Sequence, residues 1–281
     1  MTSTFPAMVI SAEDGQHKAA ITELSLADLP DNEVLVEISH SSLNYKDGLA
    51  ITGKGRIARR LPMVAGIDLA GVVVSSRSPD WQAGDPVIVN GWGLSETEWG
   101  AYSRFQRVKP QHLTRLPSGF SPVEAMAIGT AGYTAALCIL ALEDHGVLGR
   151  GGAFLVTGAA GGVGTVAIAL LAARGLQVTA STGRPSEEGF LRGLGATAIL
   201  DRNTLSEPGK MLQAECWSGG VDSVGSHTLV NALAQTVYGG AFAACGLAGG
   251  ADLPGSVMPH ILRSVALLGV DSVMCPQELR S

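Results

Sequence analysis

The 281-residue sequence predicts an α/β protein in two domains. The first is a barrel-like β domain over residues 1–125, and the second is a doubly wound parallel sheet over residues 126–281. Three observations predict this division. Short β-branched runs, punctuated by Gly, Pro and Asp, fill the first part. Around Pro122 the texture becomes rich in Ala, Leu, Met and Ile. From Gly152 onward, apolar strands alternate with helical stretches, the pattern of βαβ units.

In the first domain, Val34-Leu-Val-Glu-Ile38 and Gly71-Val-Val-Val74 read as strands. Pro86-Val-Ile-Val89 reads as another, entered from a Gly84-Asp85 turn. Ala125 to Leu142 reads as a helix by its apolar content. In the second domain Ala153-Phe-Leu-Val-Thr157, Gln177-Val-Thr-Ala-Ser181 and Ala198-Ile-Leu200 are the first three strands. No repeat or low-complexity linker interrupts the chain.

Composition narrows the function classes. With 46% hydrophobic and 16% charged residues the chain has ample core material, and its 37 glycines suit many turns and close backbone approaches. A net charge of −6 offers no general attraction for nucleic acid or an anionic membrane. The longest wholly apolar run, Val166 to Ala173, is far short of the roughly 20 residues a membrane span needs. Residues 1–6 carry no basic flank or apolar stretch of a signal peptide. The four cysteines are scattered without a C-x-x-C pair, as in a reduced, cytoplasmic protein.

The most informative segment is Phe154-Leu-Val-Thr-Gly158-Ala-Ala-Gly161-Gly162-Val-Gly164. An apolar strand enters a glycine turn, and a helix opens from it at about Val163. The glycines let the backbone approach a pyrophosphate, and the helix N-terminus offers free N–H donors and a positive dipole end. A purely structural glycine turn is the alternative, but the strand before, the helix after and a second strand at Gln177 supply the context that the binding motif requires. The end of that second strand selects the cofactor. An Asp or Glu there holds a ribose 2′-hydroxyl, whereas this chain has Ser181-Thr182-Gly183-Arg184. Arg184 can pair a 2′-phosphate that a carboxylate would repel, which points to NADPH; a solvated loop charge is the alternative. No H-E-x-x-H, no G-x-S-x-G and no His/Cys cluster with zinc spacing occurs, so no metal site is expected.

The remaining motifs carry a resemblance. Ser42-Leu-Asn44-Tyr45-Lys46-Asp47 and Pro62-Met-Val-Ala-Gly66-Ile-Asp68-Leu-Ala-Gly71 resemble the zinc-free quinone-oxidoreductase branch of the medium-chain dehydrogenases/reductases. Zinc-dependent relatives would carry Gly-His-Glu in the second stretch. Ala50-Ile-Thr-Gly-Lys54-Gly, Asn90-Gly-Trp92-Gly, Gly129-Thr-Ala-Gly132-Tyr133-Thr-Ala, Cys245-Gly-Leu-Ala-Gly-Gly250 and Gly269-Val-Asp-Ser272-Val-Met-Cys are similar to the acrylyl-CoA reductase group. The similarity runs from about Met8 to the last residue.

The resemblance implies a GroES-like β-barrel followed by a Rossmann domain. Reduction of the carbon–carbon double bond of acryloyl-CoA to propionyl-CoA is the implied activity, with NADPH as cofactor. Quinone or general enal reduction is the alternative, and an NADPH-binding pseudoenzyme is a third reading. Tyr45 would lie near the nicotinamide; Ala160, Gly161, Gly162 and Val163 would wrap the pyrophosphate. Thr182, Gly183, Arg184 and Arg202 would hold the 2′-phosphate, with Leu247, Ile261 and Ser272 on the nicotinamide side. Ala160 stands where relatives often have Ser. Asn44, Tyr45 and Asp47 are the candidates for orienting substrate or relaying the α-carbon proton, with a buried polar residue holding a loop as the alternative for Asn44 and Asp47. Lys54, Arg56, Arg59 and Arg60 place four cations in seven residues, a candidate site for the CoA phosphates or else a solvated loop. The partner is thus a small molecule, an acyl-CoA thioester or a quinone, and a homodimer is compatible with the reading. Relatives continue for a few dozen residues beyond the position of Ser281 to complete the first domain. The chain as given is therefore expected to lack that return, with lower stability and weak turnover.

Overall fold

Alternating apolar residues decide the first fold unit. Val34 and Val36, Leu69, Val73, Val87 and Val89 all turn inward to one cluster, while Leu35 and Ala70, on the opposite faces, are buried in two smaller clusters. A computed structural model describes residues 4–13 and 16–280. Its chain divides into two compact units: one takes residues up to Thr130 together with those from Ser272 onward, and the other is Ala131–Asp271.

The first unit holds β1 (Phe5–Glu13), β2 (Gln16–Leu24), β3 (Val34–His40), α1 (Tyr45–Thr52), β4 (Met63–Val64), β5 (Asp68–Ser76), β6 (Pro86–Asn90), β7 (Phe105–Val108) and β8 (Thr114–Arg115). Its strands form two antiparallel sheets, β2-β1-β4 and β7-β3-β5-β6-β8, with a single bridge from Ala7 to Ser103 between them. Helix α2 (Pro122–Asp144) has non-helical backbone at Gly129, with φ 53° and ψ −164°. A Cβ at Gly129 would meet Asp68 at 3.1 Å and Ser42 at 3.2 Å, so the break needs glycine twice over. The helix is apolar enough in composition to cross a bilayer, but half of its most apolar window is buried within the protein, as in a core helix.

The second unit alternates β9 (Ala153–Val156), α3 (Gly162–Ala173), β10 (Gln177–Thr182), α4 (Glu188–Gly193), β11 (Ala198–Asp201), α5 (Asn203–Ser206), β12 (Trp217–Asp222), α6 (Ser226–Ala234), β13 (Thr236–Ala244), α7 (Met258–Arg263) and β14 (Ala266–Gly269). All six strands are parallel, in the order β11-β10-β9-β12-β13-β14. Numbered along this unit, that is 3-2-1-4-5-6, the dinucleotide-binding order, which reverses between β9 and β12. Both faces are covered. Phe154 and Val156 pack with Cys138, Ile139, Ile168 and Leu171 on one side, while Leu155 and Phe242 pack with Trp217 and Leu229 on the other.

Two boundaries differ from the sequence reading. The first unit extends to Thr130 rather than residue 125, because the Thr130 amide and hydroxyl bind Asp68. The last described residues belong to the first unit, not to the parallel-sheet domain. Gln277 donates to Leu113 O at 3.2 Å and Thr114 Oγ1 at 2.8 Å. Arg280 donates to Asn90 O at 2.6 Å and lies 4.3 Å over the Trp92 ring, which stacks on His112.

Candidate functional site

In the second unit the site grows from the C-terminal end of β9. The chain turns at Gly158, with φ 58°, and α3 begins after Gly161 with no side-chain cap, leaving its first-turn N–H groups for a ligand. Gly161 and Gly162 are exposed, and Ala160 and Val163 half-exposed. Gly164 faces inward: a Cβ there would lie 2.5 Å from Gly158 O and 2.7 Å from Ala159 Cα, so only glycine lets the helix sit this close to the turn. A glycine turn running into an uncapped helix start is an arrangement able to hold a pyrophosphate.

The sequence-predicted 2′-phosphate residues converge beside this turn. The Arg184 backbone N–H donates to Thr182 Oγ1 at 3.1 Å, and its Nη2 donates to Ala160 O at 3.0 Å, so the guanidinium spans from the end of β10 to the phosphate turn. The Arg202 backbone N–H donates to Thr182 O at 3.1 Å. A Cβ on Gly183 would fall 2.4 Å from Arg202 Nε, so the guanidinium lies against the glycine backbone. Among the described residues neither arginine is in an ion pair, although nine pairs form elsewhere in a chain of net charge −6. Two exposed cations beside a pyrophosphate cradle, with no carboxylate to neutralise them, fit NADPH. Leu247 follows β13 and Ile261 lies on α7, both largely exposed, whereas Ser272 is buried and belongs to the first unit.

Sequence reasoning missed Asp222, at the end of β12. Its carboxylate is buried and accepts from Thr157 Oγ1 at 2.6 Å, Gly225 N at 2.7 Å and Val224 N at 3.2 Å. It thereby ties the end of β9 to the loop after β12, across the point where the strand order reverses. Burial pushes its carboxyl above the ordinary range, against the pull of those hydrogen bonds.

In the first unit Asn44 precedes α1 and Tyr45 begins it. The Asn44 N–H donates to Asp47 Oδ2 at 2.8 Å, one half of a capping box. Asn44 Nδ2 donates to Ser42 Oγ at 2.8 Å, Asp68 Oδ2 at 3.1 Å and Asp47 Oδ2 at 3.2 Å. Asp47 is fully buried and also accepts from Ile67 N at 3.1 Å. Burial raises its carboxyl pKa, while hydrogen bonds from Asn44 and Tyr102 draw it back. Tyr45, by contrast, is 66% exposed, and no hydrogen bond among the described residues engages its hydroxyl.

Asp68 is the hub of this unit, and it was not singled out as a site residue. It is fully buried, with donors from Ser42 Oγ, Asn44 Nδ2, Asn90 Nδ2 at 2.9 Å, Thr130 N at 2.8 Å and Thr130 Oγ1. An aspartate opening a strand that is otherwise apolar was the available signal. The basic stretch separates rather than clusters. Arg56 and Arg59 line a cavity of about 440 Å³ with His17, Gly53 and Gly55. Arg60 lines another cavity, and Lys54 lines neither.

Comparison with known proteins follows the same division. Residues 30–119 match the alcohol dehydrogenase GroES-like domain family, and residues 162–281 match the zinc-binding dehydrogenase family. The residues here do not fit zinc. Asp68, in the stretch where zinc-dependent relatives carry Gly-His-Glu, engages both oxygens with five donors, and no group of three His, Cys, Asp or Glu among the described residues could hold a metal. The chain is 49% identical over 275 residues to the probable acrylyl-CoA reductase AcuI of Escherichia coli (strain K12), covering 98% of this chain and 85% of that one. It is 41% identical over 282 residues to the putative quinone oxidoreductase YhfP of Bacillus subtilis (strain 168), covering 100% and 86%. The crystal structure of E. coli K-12 YhdH with bound NADPH superposes with a TM-score of 0.95 at 49% identity, covering 98% of this chain and 84% of that one.

Proposed function

Because this chain belongs to the medium-chain dehydrogenase/reductase family, in its acrylyl-CoA reductase group, we propose that it reduces the carbon–carbon double bond of acryloyl-CoA to give propionyl-CoA, with NADPH as reductant. What carries the substrate is the 49% identity, over nearly the whole chain, to a relative named as an acrylyl-CoA reductase. The cofactor is supported by Arg184 and Arg202, two unpaired cations beside the uncapped N-terminus of α3.

NADPH, when bound, supplies the hydride that reduces the β-carbon. The first turn of α3 would hold its pyrophosphate, and Thr182, Arg184 and Arg202 would hold its 2′-phosphate. As the β-carbon is reduced, negative charge collects on the thioester oxygen, where a hydrogen-bond donor lowers the barrier, and a proton drawn ultimately from solvent is added at the α-carbon. Of the three candidates for orienting substrate or relaying that proton, Tyr45 has a hydroxyl that no described residue engages. Asn44 and Asp47 are occupied with each other, with Asp68 and with the start of α1, so they act as positioning residues that fix the Tyr45 backbone.

The identity to a putative quinone oxidoreductase supports a second reading, reduction of a small quinone by the same cofactor. Steady-state NADPH oxidation separates the two. The proposal expects kcat/KM for acryloyl-CoA to exceed that for a small quinone, and quinone turnover without acryloyl-CoA turnover would replace it.

A further inference from the structure

The cavity at the end of α1 has a chemistry the reduction itself does not use. Helix α1 stops at Gly53, whose backbone is left-handed with φ 69°, and the chain then doubles back past Gly55, Arg56 and Arg59. Three contacts hold this loop in shape. The Gly55 N–H donates to Leu49 O at 3.4 Å, the Arg59 N–H donates to Glu96 O at 2.9 Å, and His17 Nε2 donates to Ile51 O at 3.0 Å. The His17 ring packs so closely on Gly53 that a Cβ there would sit 2.9 Å from it. The loop therefore presents its cations from a built frame rather than from a solvated tail.

The charges in that frame are uncompensated. Arg56 and Arg59 are exposed and join none of the nine ion pairs among the described residues. Glu96, whose backbone carbonyl accepts from the Arg59 N–H, has its carboxylate paired with Lys46. Among the described residues no Asp or Glu lines the cavity; its other walls are His17, glycine backbone and small or aliphatic side chains that include Leu61. At about 440 Å³ it falls within the range of small-ligand pockets, roughly 300–1,000 Å³. Two guanidinium forks suit phosphate, because each can donate two parallel hydrogen bonds to a tetrahedral anion. Beside them stand Ala50, Ala58 and Leu61, the apolar part of the lining.

From this we infer that the cavity is a nucleotide-phosphate subsite that holds the phosphorylated adenosine end of a CoA thioester, with Arg56 and Arg59 on its phosphates and the purine against the Leu61 wall. The inference rests on the reading of the substrate as a CoA thioester. It also narrows the basic stretch, because Lys54 and Arg60 lie outside the subsite.

Two measurements on the full chain test it. The first is calorimetric titration with adenosine 3′,5′-bisphosphate at saturating NADPH, which keeps Arg184 and Arg202 occupied. Binding is expected to weaken about tenfold or more in an R56A/R59A variant, the scale of one or two lost charge-assisted contacts. NADPH binding by the same variant reports that it is folded. Inorganic phosphate separates a nucleotide subsite from a bare anion hole, and equal affinity for phosphate and for the bisphosphate would overturn the nucleotide assignment. The second measurement is the ratio of kcat/KM for acryloyl-CoA over acryloyl-pantetheine, which lacks every phosphate. The ratio is expected to fall about tenfold in the variant through the KM for acryloyl-CoA, and an unchanged ratio would overturn the subsite while leaving the reductase reading intact. Bisphosphate binding lost in the variant, in a chain that reduces neither thioester, would instead sustain the subsite and remove the proposed reaction.

Discussion

Replacing Arg184 by Ala separates two contributions the guanidinium makes. It lies against the phosphate turn, with Nη2 on Ala160 O at 3.0 Å, and it is exposed beyond the end of β10 with no carboxylate partner. Loss of the bond to Ala160 loosens the turn for any dinucleotide, a neutral-acceptor effect of about 0.5–1.5 kcal/mol. Loss of the pairing with a 2′-phosphate affects NADPH alone. A charge-assisted hydrogen bond contributes about 1.5–3 kcal/mol, and solvent screening at an exposed site favours the lower end. The NADPH-specific part is therefore about 1.5–2 kcal/mol, a factor of roughly 10–30 in Kd. Fluorescence titration of both reduced cofactors reads this directly. The ratio of Kd for NADPH over Kd for NADH should rise by that factor in R184A, on top of a smaller weakening common to both. An equal loss for the two cofactors would refute the assignment of Arg184 to the 2′-phosphate and leave it as a brace for the turn.

The same geometry fixes three further outcomes. Asp68→Asn sets an amide N–H among five donors in a buried site, so chemical denaturation should register a loss of about 3 kcal/mol, and a shift below 0.5 kcal/mol would remove Asp68 from the centre of its unit. His112, stacked on Trp92, is pushed down to about 4, first by burial and then by Lys109 and Arg280, with Glu98 acting the other way. Its folded pKa lies below the unfolded value of about 6.5, so the stability it contributes is present above about pH 6.5 and is lost as pH falls toward 4. Inside that window each unit fall in pH costs up to about 1.4 kcal/mol. Thermal melts of H112F should fall less steeply over that window than those of the unaltered chain, and an identical pH slope would contradict the reading. Chelator treatment should leave NADPH-dependent turnover unchanged and metal analysis should find no stoichiometric zinc, because Asp68 is bound by donors; chelator-sensitive activity would overturn this.

The glycine turn and the cation beside it were legible in the sequence because they are nearly contiguous. Gly158, Gly161, Gly162 and Gly164 lie in one turn, and Arg184 follows the very next strand, so spacing along the chain is nearly spacing in the fold. Arg202 is farther off, but it begins after the third strand, adjacent to the second in the sheet, and the resemblance placed it. The parallel sheet was legible for the same reason: strand and helix alternate at the length of one βαβ unit. The return of the segment from Ser272 was not, because Gln277 and Arg280 find their partners at Leu113, Thr114 and Asn90, some 160–190 positions away.

The proton-handling end was illegible for a different physical reason. Asn44, Tyr45 and Asp47 sit within four positions of one another, and by residue type each is a credible donor or acid. What distinguishes them is competition for hydrogen bonds. Asp68, more than twenty positions on, accepts a hydrogen bond from the Asn44 amide; Ile67 and Asn44 supply donors to Asp47; Tyr45, at the exposed first position of α1, is left with its hydroxyl unengaged by the described residues. Burial raises the Asp47 carboxyl, and its bonds to Asn44 and Ile67 tie it to the start of α1. The basic stretch divides by the same logic. Four adjacent cations look equivalent in sequence, yet the Gly53 turn and the Arg59–Glu96 backbone bond send Arg56 and Arg59 to one cavity and Arg60 to another. In both places residue type fixed the chemistry available, and long-range hydrogen bonds to Asp68 and Glu96 decided which residue was left free to use it.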